Sequence, residues 1–177
     1  MTWPLVVHTD SPEATKRVAG RLATICHSGD IVLLIGDLGA GKTAFAQGFA
    51  AALGVEGPVT SPTFTLVRQY DCPRGGGIQT LLHADIYRTG SLDEVTDLAL
   101  AELVEERAVA LVEWGDLAAP ALGTSALDVH IDIPEDAGPE ERVITLRGRG
   151  DWDGRFDAVA AALAGKTASA DVNGVTA

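Results

Sequence analysis

Eight consecutive residues, 36–43, carry the clearest chemical signal in the sequence. They match the pattern G-x-x-x-x-G-K-[ST] at every fixed position. Glycines in such a loop let backbone N–H groups point at phosphate oxygens, the lysine places a positive charge beside the phosphates, and the last hydroxyl is a ligand for Mg²⁺. The pattern predicts a nucleotide phosphate site, whose candidate residues are Gly36, Asp37, Leu38, Gly39, Ala40, Gly41, Lys42 and Thr43.

Two acidic residues follow apolar segments later in the chain, where strand ends would place them beside the glycine loop. Glu113 directly follows the apolar run 108–112, and Asp85 comes shortly after the apolar pair 81–82. An enzyme with this loop needs a carboxylate near the metal ion and a group that orients the attacking water. Both residues are candidates, and their positions do not decide which one is the principal metal ligand.

Hydroxyl side chains surround a proline directly after the helix that is predicted behind the loop. Ser61 and Thr63 stand on either side of Pro62. A segment at this position can reach the γ-phosphate and become ordered when ATP is bound, as switch segments do. A plain connecting loop is the alternative interpretation.

The sequence favours ATP over GTP as the nucleotide. Familiar GTPases recognise guanine with a Lys-x-Asp element, but the residues two positions after the three lysines are Val18, Ala44 and Ala168. ATP and Mg²⁺ are therefore the predicted cofactors.

The chain is acidic, with a net charge of −12 over 177 residues. Such a charge repels phosphate backbones, so direct binding to nucleic acid is disfavoured. The arginines near the C-terminal end are interleaved with acids, which favours a solvated mixed face formed by Arg142, Arg147, Arg149 and Arg155.

The chain also lacks the signals of a membrane or secreted protein. No apolar run approaches the roughly 20 residues of a membrane helix, so no membrane partner is predicted. The first residues lack the features of a secretory signal, which makes the cytoplasm the predicted location. Cys26 and Cys72 have neither CxxC nor CxxH spacing and are predicted to be reduced thiols.

Hydrophobic periodicity indicates the elements that must position these residues. It predicts strands over 5–7, 31–35, 65–70, 78–82, 108–112, 129–133 and 143–146. It predicts helices after Ser11-Pro12, after Thr43, over 91–106 and over 152–163. The expected fold is one α/β domain over 1–164, a P-loop NTPase with a mixed, mainly parallel central sheet flanked by helices and a C-terminal hairpin plus helix. A disordered tail is expected over 165–177.

The order of these motifs resembles that of the TsaE (YjeE) family of bacterial ATPases. The glycine loop is followed by Ser-Pro-Thr-Phe at 61–64, His-Ala-Asp-Ile-Tyr-Arg at 83–88 and Glu-Trp at 113–114. Each later motif is weak alone, whereas the ordered set is specific. The resemblance covers roughly residues 5 to 115 by motif and the closing hairpin and helix by length only.

The resemblance implies an ATPase accessory to threonylcarbamoyl transfer onto the adenosine beside the anticodon of tRNA. In that family the protein acts with the TsaD transferase and its partner TsaB, so tRNA would be reached only through the partners. An acidic surface suits this arrangement, because it would steer the chain toward a basic protein partner.

Family roles map onto individual residues of the phosphate site. The resemblance implies that Lys42 contacts phosphate and takes part in catalysis, that Thr43 and Glu113 serve Mg²⁺, and that Asp85 supports hydrolysis.

The resemblance also implies roles outside the loop. Ser61 and Thr63 would lie in the first switch segment, and Thr9 and Ser11 would border the adenine. The chain departs from the family pattern at Ala44, where a second threonine is common, and in the glycine-rich hairpin tip over 75–77.

Two other functions stay open at this level. A small-molecule kinase would need an acceptor pocket and an arginine-bearing lid, yet Arg68, Arg74 and Arg88 are scattered. A nucleotide-sensing module that docks without hydrolysing ATP would keep its activity in an Asp85→Ala variant.

Overall fold

The structure is a computed structural model, and it describes residues 3–62, 67–87, 104, 107–118, 122–136 and 138–164. Three predictions therefore lie outside the described residues. They concern the switch residue Thr63, the helix over 91–106 apart from Val104, and the tail over 165–177.

The described residues form seven strands, four α-helices and one 3₁₀ segment. The strands are β1 (Leu5–Thr9), β2 (Ile31–Ile35), β3 (Val67–Asp71), β4 (Thr80–Asp85), β5 (Ala108–Glu113), β6 (Ala126–Asp132) and β7 (Arg142–Arg149). The helices are α1 (Pro12–Ala23), α2 (Lys42–Ala52), α3 (Gly115–Ala118) and α4 (Phe156–Ala164), and the 3₁₀ segment is Gly150–Arg155.

All seven strands belong to one mixed sheet in the order β1-β7-β6-β2-β5-β4-β3. The four central strands, β6, β2, β5 and β4, run parallel. Antiparallel pairing occurs toward both edges, where β3 joins β4, β7 joins β6 and β1 joins β7. The mixed sheet and both hairpins of the prediction are confirmed.

Strand β2 is buried on both faces, as its unbroken apolar sequence indicates. Val32 and Leu34 belong to a core that also contains side chains of α1, α2 and α4. Ile31 and Leu33 face the opposite side and pack into a second core with residues of β4 and β5. The strand that leads into the glycine loop is thus held by packing on both sides.

The helix after the first strand begins as the sequence predicts. Ser11 caps α1, since its hydroxyl accepts a hydrogen bond from the Ala14 N–H at 3.3 Å, and Pro12 occupies the first turn. The closing helix differs from the prediction, because the α-helix begins at Phe156 and Trp152 lies in the 3₁₀ segment. Two glycines and two aspartates in this segment disfavour the α-helix.

Candidate nucleotide-binding site

The glycine loop connects the C-terminal end of β2 to the N-terminus of α2. Gly36 lies against β6 so closely that an added Cβ would collide with the Ile131 carbonyl oxygen. Gly41 is the N-cap of α2, with φ of 110°, a backbone conformation that favours glycine. The helix therefore begins at Lys42 with its N-terminal N–H groups beside the loop, which is the arrangement that binds anions.

Beside the loop lies a cleft of about 520 Å³ that collects residues from four segments of the chain. The register of the strands explains why these segments come together, because Asp85 of β4 and Leu34 of β2 both pair with Glu113 of β5. The carboxyl ends of three neighbouring parallel strands thus share one edge. The cleft is lined by Leu38, Gly39, Gly41, Lys42, Thr43, Ser61, Asp85, Tyr87, Glu113 and Trp114.

Lys42 is 5% exposed and is held by its own loop. Its Nζ donates hydrogen bonds to the carbonyl oxygens of Gly36 at 2.6 Å and Asp37 at 2.8 Å. The same ammonium group lies 4.0 Å from the centroid of the Trp114 ring, a cation–π geometry. The lysine therefore points into the cleft with polar and aromatic partners in place of water.

Burial lowers the pKa of the Lys42 ammonium from its ordinary value of 10.5, because the charged form loses hydration. The carboxylates of Glu113, Asp85, Asp37 and Asp116 favour the charged form and partly offset this effect. A bound phosphate would add further negative charge at this point and favour the ammonium form.

Glu113 is a buried carboxylate with a buried partner. Its exposed fraction is 3%, and its Oε1 lies 2.9 Å from Nε2 of His83, which is 0% exposed. A carboxylate oxygen accepts, so the Nε2 proton of His83 is the donor. The His83 Nδ1 has no hydrogen-bond partner within the described ranges. His83 thus engages one of the two Glu113 carboxylate oxygens.

Asp85 is less buried and joins the segment after α2 to the end of β4. Its carboxylate accepts a hydrogen bond from the Ser61 hydroxyl at 2.5 Å and another from the Tyr87 backbone N–H at 3.1 Å. The predicted switch residue Ser61 therefore contacts the candidate catalytic acid directly. The two acids differ in environment, since Asp85 binds a hydroxyl at the cleft and Glu113 binds a buried imidazole.

Aromatic and apolar side chains surround the mouth of the cleft. Tyr87 and Trp114 lie with ring centroids 4.5 Å apart and planes tilted by 32°. Tyr87 is 60% exposed and Leu38 is 87% exposed. Trp114 has φ of 61°, a conformation that non-glycine residues rarely adopt, at the point where the chain leaves β5.

The two candidate adenine residues lie apart from this cleft. Thr9 is 4% exposed, and its hydroxyl oxygen lies 3.0 Å from that of Thr15. Ser11 is occupied as the cap of α1. Thr9 borders a second, smaller cleft of about 140 Å³, whose other lining residues are His8, Asp10, Pro134, Glu141 and Arg142. Adenine contact by these two residues stays a prediction.

The expected solvated arginine face is wrong for three of its four members. Arg155 donates to Asp30 at 2.8 Å, Arg149 pairs with Asp128 at 3.3 Å, and Arg142 donates to carbonyl oxygens of the glycine loop. Only Arg147 of the four is exposed. The reason is the register of the β6–β7 hairpin and the return of the 3₁₀ segment, which bring these arginines to partners distant in sequence.

Sequence reasoning missed two residues of the site. His83 belonged to a recognised motif, but its pairing with Glu113 depends on the register of β4 against β5. Arg142 reaches the loop from a strand about a hundred residues away, and no local pattern marks it.

The cleft offers oxygen donors of the type that Mg²⁺ prefers. The Thr43 hydroxyl and the carboxylates of Asp85 and Glu113 line it together. In phosphate-loop proteins the nucleotide itself supplies further ligands to this ion. The residues present therefore fit a magnesium ion shared with phosphate. Among the described residues, no group of three or more His, Cys, Asp or Glu could hold a metal ion by itself, so the nucleotide would supply the remaining ligands.

A buried strand, a glycine loop and a helix, with acids at adjacent parallel strand ends, define a P-loop α/β protein of the NTPase class. The chain belongs to the TsaE family: residues 9–144 match the family model described as threonylcarbamoyl adenosine biosynthesis protein TsaE. The family prediction is thereby confirmed, and membership implies nucleotide binding.

Individual relatives are similar over most of their length. The tRNA threonylcarbamoyladenosine biosynthesis protein TsaE of Bacillus subtilis (strain 168) is 42% identical over 142 residues, which cover 80% of this chain and 84% of the relative. The protein of the same name from Streptomyces coelicolor is 40% identical over 138 residues, covering 77% and 91%.

A solved structure confirms the fold prediction. The crystal structure of Bacillus subtilis YdiB matches with a TM-score of 0.69 at 35% sequence identity, covering 92% of this chain and 95% of that one. Among the helices that the structure describes, none is long and apolar enough to cross a membrane.

Proposed function

We propose that this chain is a Mg²⁺-dependent ATPase that supports threonylcarbamoyl transfer onto the adenosine beside the anticodon of tRNA, in the cytoplasm. One observation carries the proposal: Lys42, Thr43, Asp85 and Glu113 converge on one cleft in a TsaE-family fold. These are the groups that phosphoryl chemistry in P-loop proteins requires.

Each residue has a part that its surroundings support. Lys42 would exchange its carbonyl partners for phosphate oxygens, and the N–H groups at the start of α2 would bind the same phosphates. Thr43 and Glu113 would hold Mg²⁺, which neutralises charge that develops on the phosphates. Asp85 would orient the attacking water, and its bond to Ser61 would make this step depend on the position of the switch segment.

The proposed partners are a TsaD-like transferase and a TsaB-like subunit. The chain's net charge of −12 disfavours direct contact with tRNA, so the partners would hold the nucleic acid. The same charge would favour association with a basic protein surface.

The decisive experiment measures phosphate release from ATP by the purified chain, alone and with a TsaD–TsaB pair and tRNA. We expect weak hydrolysis alone and an increase with the pair, accompanied by formation of the modified nucleoside. The Lys42→Ala variant should lose nucleotide affinity, whereas Asp85→Ala and Glu113→Ala should retain some binding and lose turnover.

Two outcomes would refute the proposal and identify a different function. Rapid phosphoryl transfer from ATP to a nucleoside by the chain alone would identify a small-molecule kinase. Full formation of the modified nucleoside with Asp85→Ala would identify a nucleotide-sensing subunit that does not need hydrolysis.

A further inference from the structure

The side chain of Arg142 connects the glycine loop to the β6–β7 hairpin. Its Nε donates to the Ala40 carbonyl oxygen at 2.8 Å, and its Nη2 donates to that of Gly39 at 3.3 Å. On the hairpin side, Nη1 donates to the carbonyl oxygens of Pro139 at 2.8 Å and Glu141 at 2.7 Å. One planar guanidinium group thus holds four backbone carbonyls from two segments.

These bonds have a consequence for the opposite side of the loop. The carbonyl of Ala40 and the N–H of Gly41 belong to one planar trans peptide and point in opposite directions. When Arg142 holds that carbonyl, the N–H of Gly41 is directed away from the arginine. Gly41 lines the nucleotide cleft, and we therefore count its N–H among the donors for a phosphate bound there.

The middle of the loop, residues 39–41, has two anchors. The Ala40 side chain is 1% exposed and packs into the core that contains side chains of α1, α2 and α4, and Arg142 holds the backbone carbonyls from the hairpin side. A Cβ added at Gly39 or Gly41 would meet no heavy atom within 4 Å, so no neighbouring residue packs against that side of either glycine. Within the loop, the Ala40 N–H donates to the Asp37 carbonyl at 3.1 Å. In the part of the chain that the structure describes, Arg142 is the only side chain from outside the loop that donates to its carbonyls.

We infer that Arg142 is a positioning residue that holds the phosphate loop in its binding conformation before nucleotide arrives. The inference rests on the proposed nucleotide-binding function and extends the site to the C-terminal hairpin. Glycine loops lose conformational entropy when they bind, so a residue that restricts the free loop raises affinity. Gly36, which lies against the Ile131 carbonyl of β6, anchors the other end of the loop to the same hairpin.

The test compares ADP binding by the wild-type chain with that of Arg142→Ala, Arg142→Lys and Arg149→Ala, using calorimetric titration. Arg149 is a matched control, because it lies on the same strand, donates to the Gly123 carbonyl at 2.9 Å and pairs with Asp128, away from the loop. We expect Arg142→Ala to weaken ADP binding by about tenfold or more, and Arg149→Ala to change it by less than about twofold.

Arg142→Lys separates positioning from charge. Lysine keeps the positive charge but cannot hold four carbonyls with a planar fork, so we expect it to lose most of the affinity that Arg142→Ala loses. This variant also keeps the test decisive if Arg142→Ala does not fold.

Three results would overturn the inference, given a wild-type chain that binds ADP. They are wild-type affinity in Arg142→Ala, wild-type affinity in Arg142→Lys, and an equal loss in Arg149→Ala. Failure of the wild-type chain itself to bind ADP is a different result, because it refutes the proposed nucleotide-binding function.

Discussion

At the scale of single residues, the site combines a buried cation with a buried anion a short distance apart. Lys42 is surrounded by loop carbonyls and the Trp114 ring, and Glu113 is paired with His83. Neither charge is well hydrated, so each depends on its neighbours for stabilisation. Lys42 therefore gives a measurable response to pH, and substitution at either residue has a measurable effect.

Nucleotide affinity should fall as the pH is raised into the alkaline range. The fall should begin at a pH below 10.5, the ordinary pKa of lysine. The ammonium form of Lys42 attracts phosphate and the neutral form does not, and burial lowers the pKa at which the proton is lost in the free protein. Calorimetric titration with ADP between about pH 8 and 10.5 measures this decline. Constant wild-type affinity across this pH range would contradict the prediction. The control is Lys42→Ala, whose residual affinity for ADP should lack the decline caused by deprotonation of Lys42.

Deprotonation of Lys42 should affect the stability of the nucleotide-free protein in the opposite direction: stability should rise with pH where nucleotide affinity falls. Between the lowered pKa of folded Lys42 and its ordinary value, the unfolded chain binds more protons than the folded one. The contribution of Lys42 to the free energy of unfolding therefore rises with pH across that interval. Urea unfolding of wild type and Lys42→Met as a function of pH isolates this contribution. We expect the free energy of unfolding of wild type minus that of the variant to rise with pH, and a fall would refute the prediction.

Removal of His83 should destabilise the fold through Glu113. The His83→Ala variant leaves a buried carboxylate without its donor, which we expect to lower the free energy of unfolding by about 1–3 kcal/mol. In the double variant with Glu113→Gln the buried charge is gone. The loss of stability in the double variant should therefore be smaller than the sum of the losses in the two single variants, by a coupling of about 1 kcal/mol. Urea unfolding of the four proteins gives this coupling, and strict additivity would refute the pairing.

At the scale of elements, the position of α2 depends on its close approach to α1. Gly48 of α2 lies against the backbone of Lys16, where an added Cβ would collide with the Lys16 carbonyl oxygen. The absence of a side chain therefore allows the two helices to touch. Because α2 begins at Lys42, this contact also helps to place the helix N-terminus beside the phosphate cleft.

Gly48→Ala should destabilise the protein by about 1–3 kcal/mol, because the helices must move apart. Gly20→Ala is a matched control on α1: its Cβ would lie 3.4 Å from the Gly48 carbonyl oxygen and 3.6 Å from the Ala52 Cβ, which the structure can accommodate. Alanine also favours the helix over glycine, so we expect Gly20→Ala to be neutral or stabilising. Thermal unfolding checks both variants, and equal effects of the two would contradict the close-contact argument.

At the scale of the whole molecule, the first core joins α1, α2 and α4 to one face of the sheet, and both cysteines belong to it. Burial, together with the nearby Asp30 carboxylate, raises the pKa of the Cys26 thiol, and burial raises that of Cys72 to about 11. Both groups are thus protonated and shielded at neutral pH, and both cysteines are free thiols.

Thiol reactivity should consequently report unfolding of the core. At pH 8 a pKa of about 11 leaves roughly one Cys72 side chain in a thousand as thiolate, so we expect slow reaction of the native protein with a disulfide reagent and fast reaction in urea. The reaction is followed by absorbance, with Cys26→Ala and Cys72→Ala to assign each thiol. Fast reaction of either thiol in the native protein would show that this part of the core opens locally.

The elements that sequence reasoning predicted correctly are those with local signals. The strand over 31–35 is a short run of apolar residues, the start of α1 is marked by Ser11-Pro12, and the glycine loop between β2 and α2 is a contiguous pattern. Each depends on neighbours a few positions away, so the sequence by itself determined them. The ordered motifs likewise determined the family, since residues 9–144 match it.

The sequence predicted that Asp85 and Glu113 lie beside the loop, but only the tertiary structure decided how these and other distant residues pair with one another there. Asp85 stands beside Glu113 because β4 pairs with β5 in one register, and His83 reaches the same carboxylate across 30 positions of sequence. Arg142 reaches Ala40 across 102 positions because β7 returns beside β6. The physical reason is that local patterns and turns fix register within a hairpin, whereas the order and pairing of strands that are distant in sequence arise from the packing of the whole sheet.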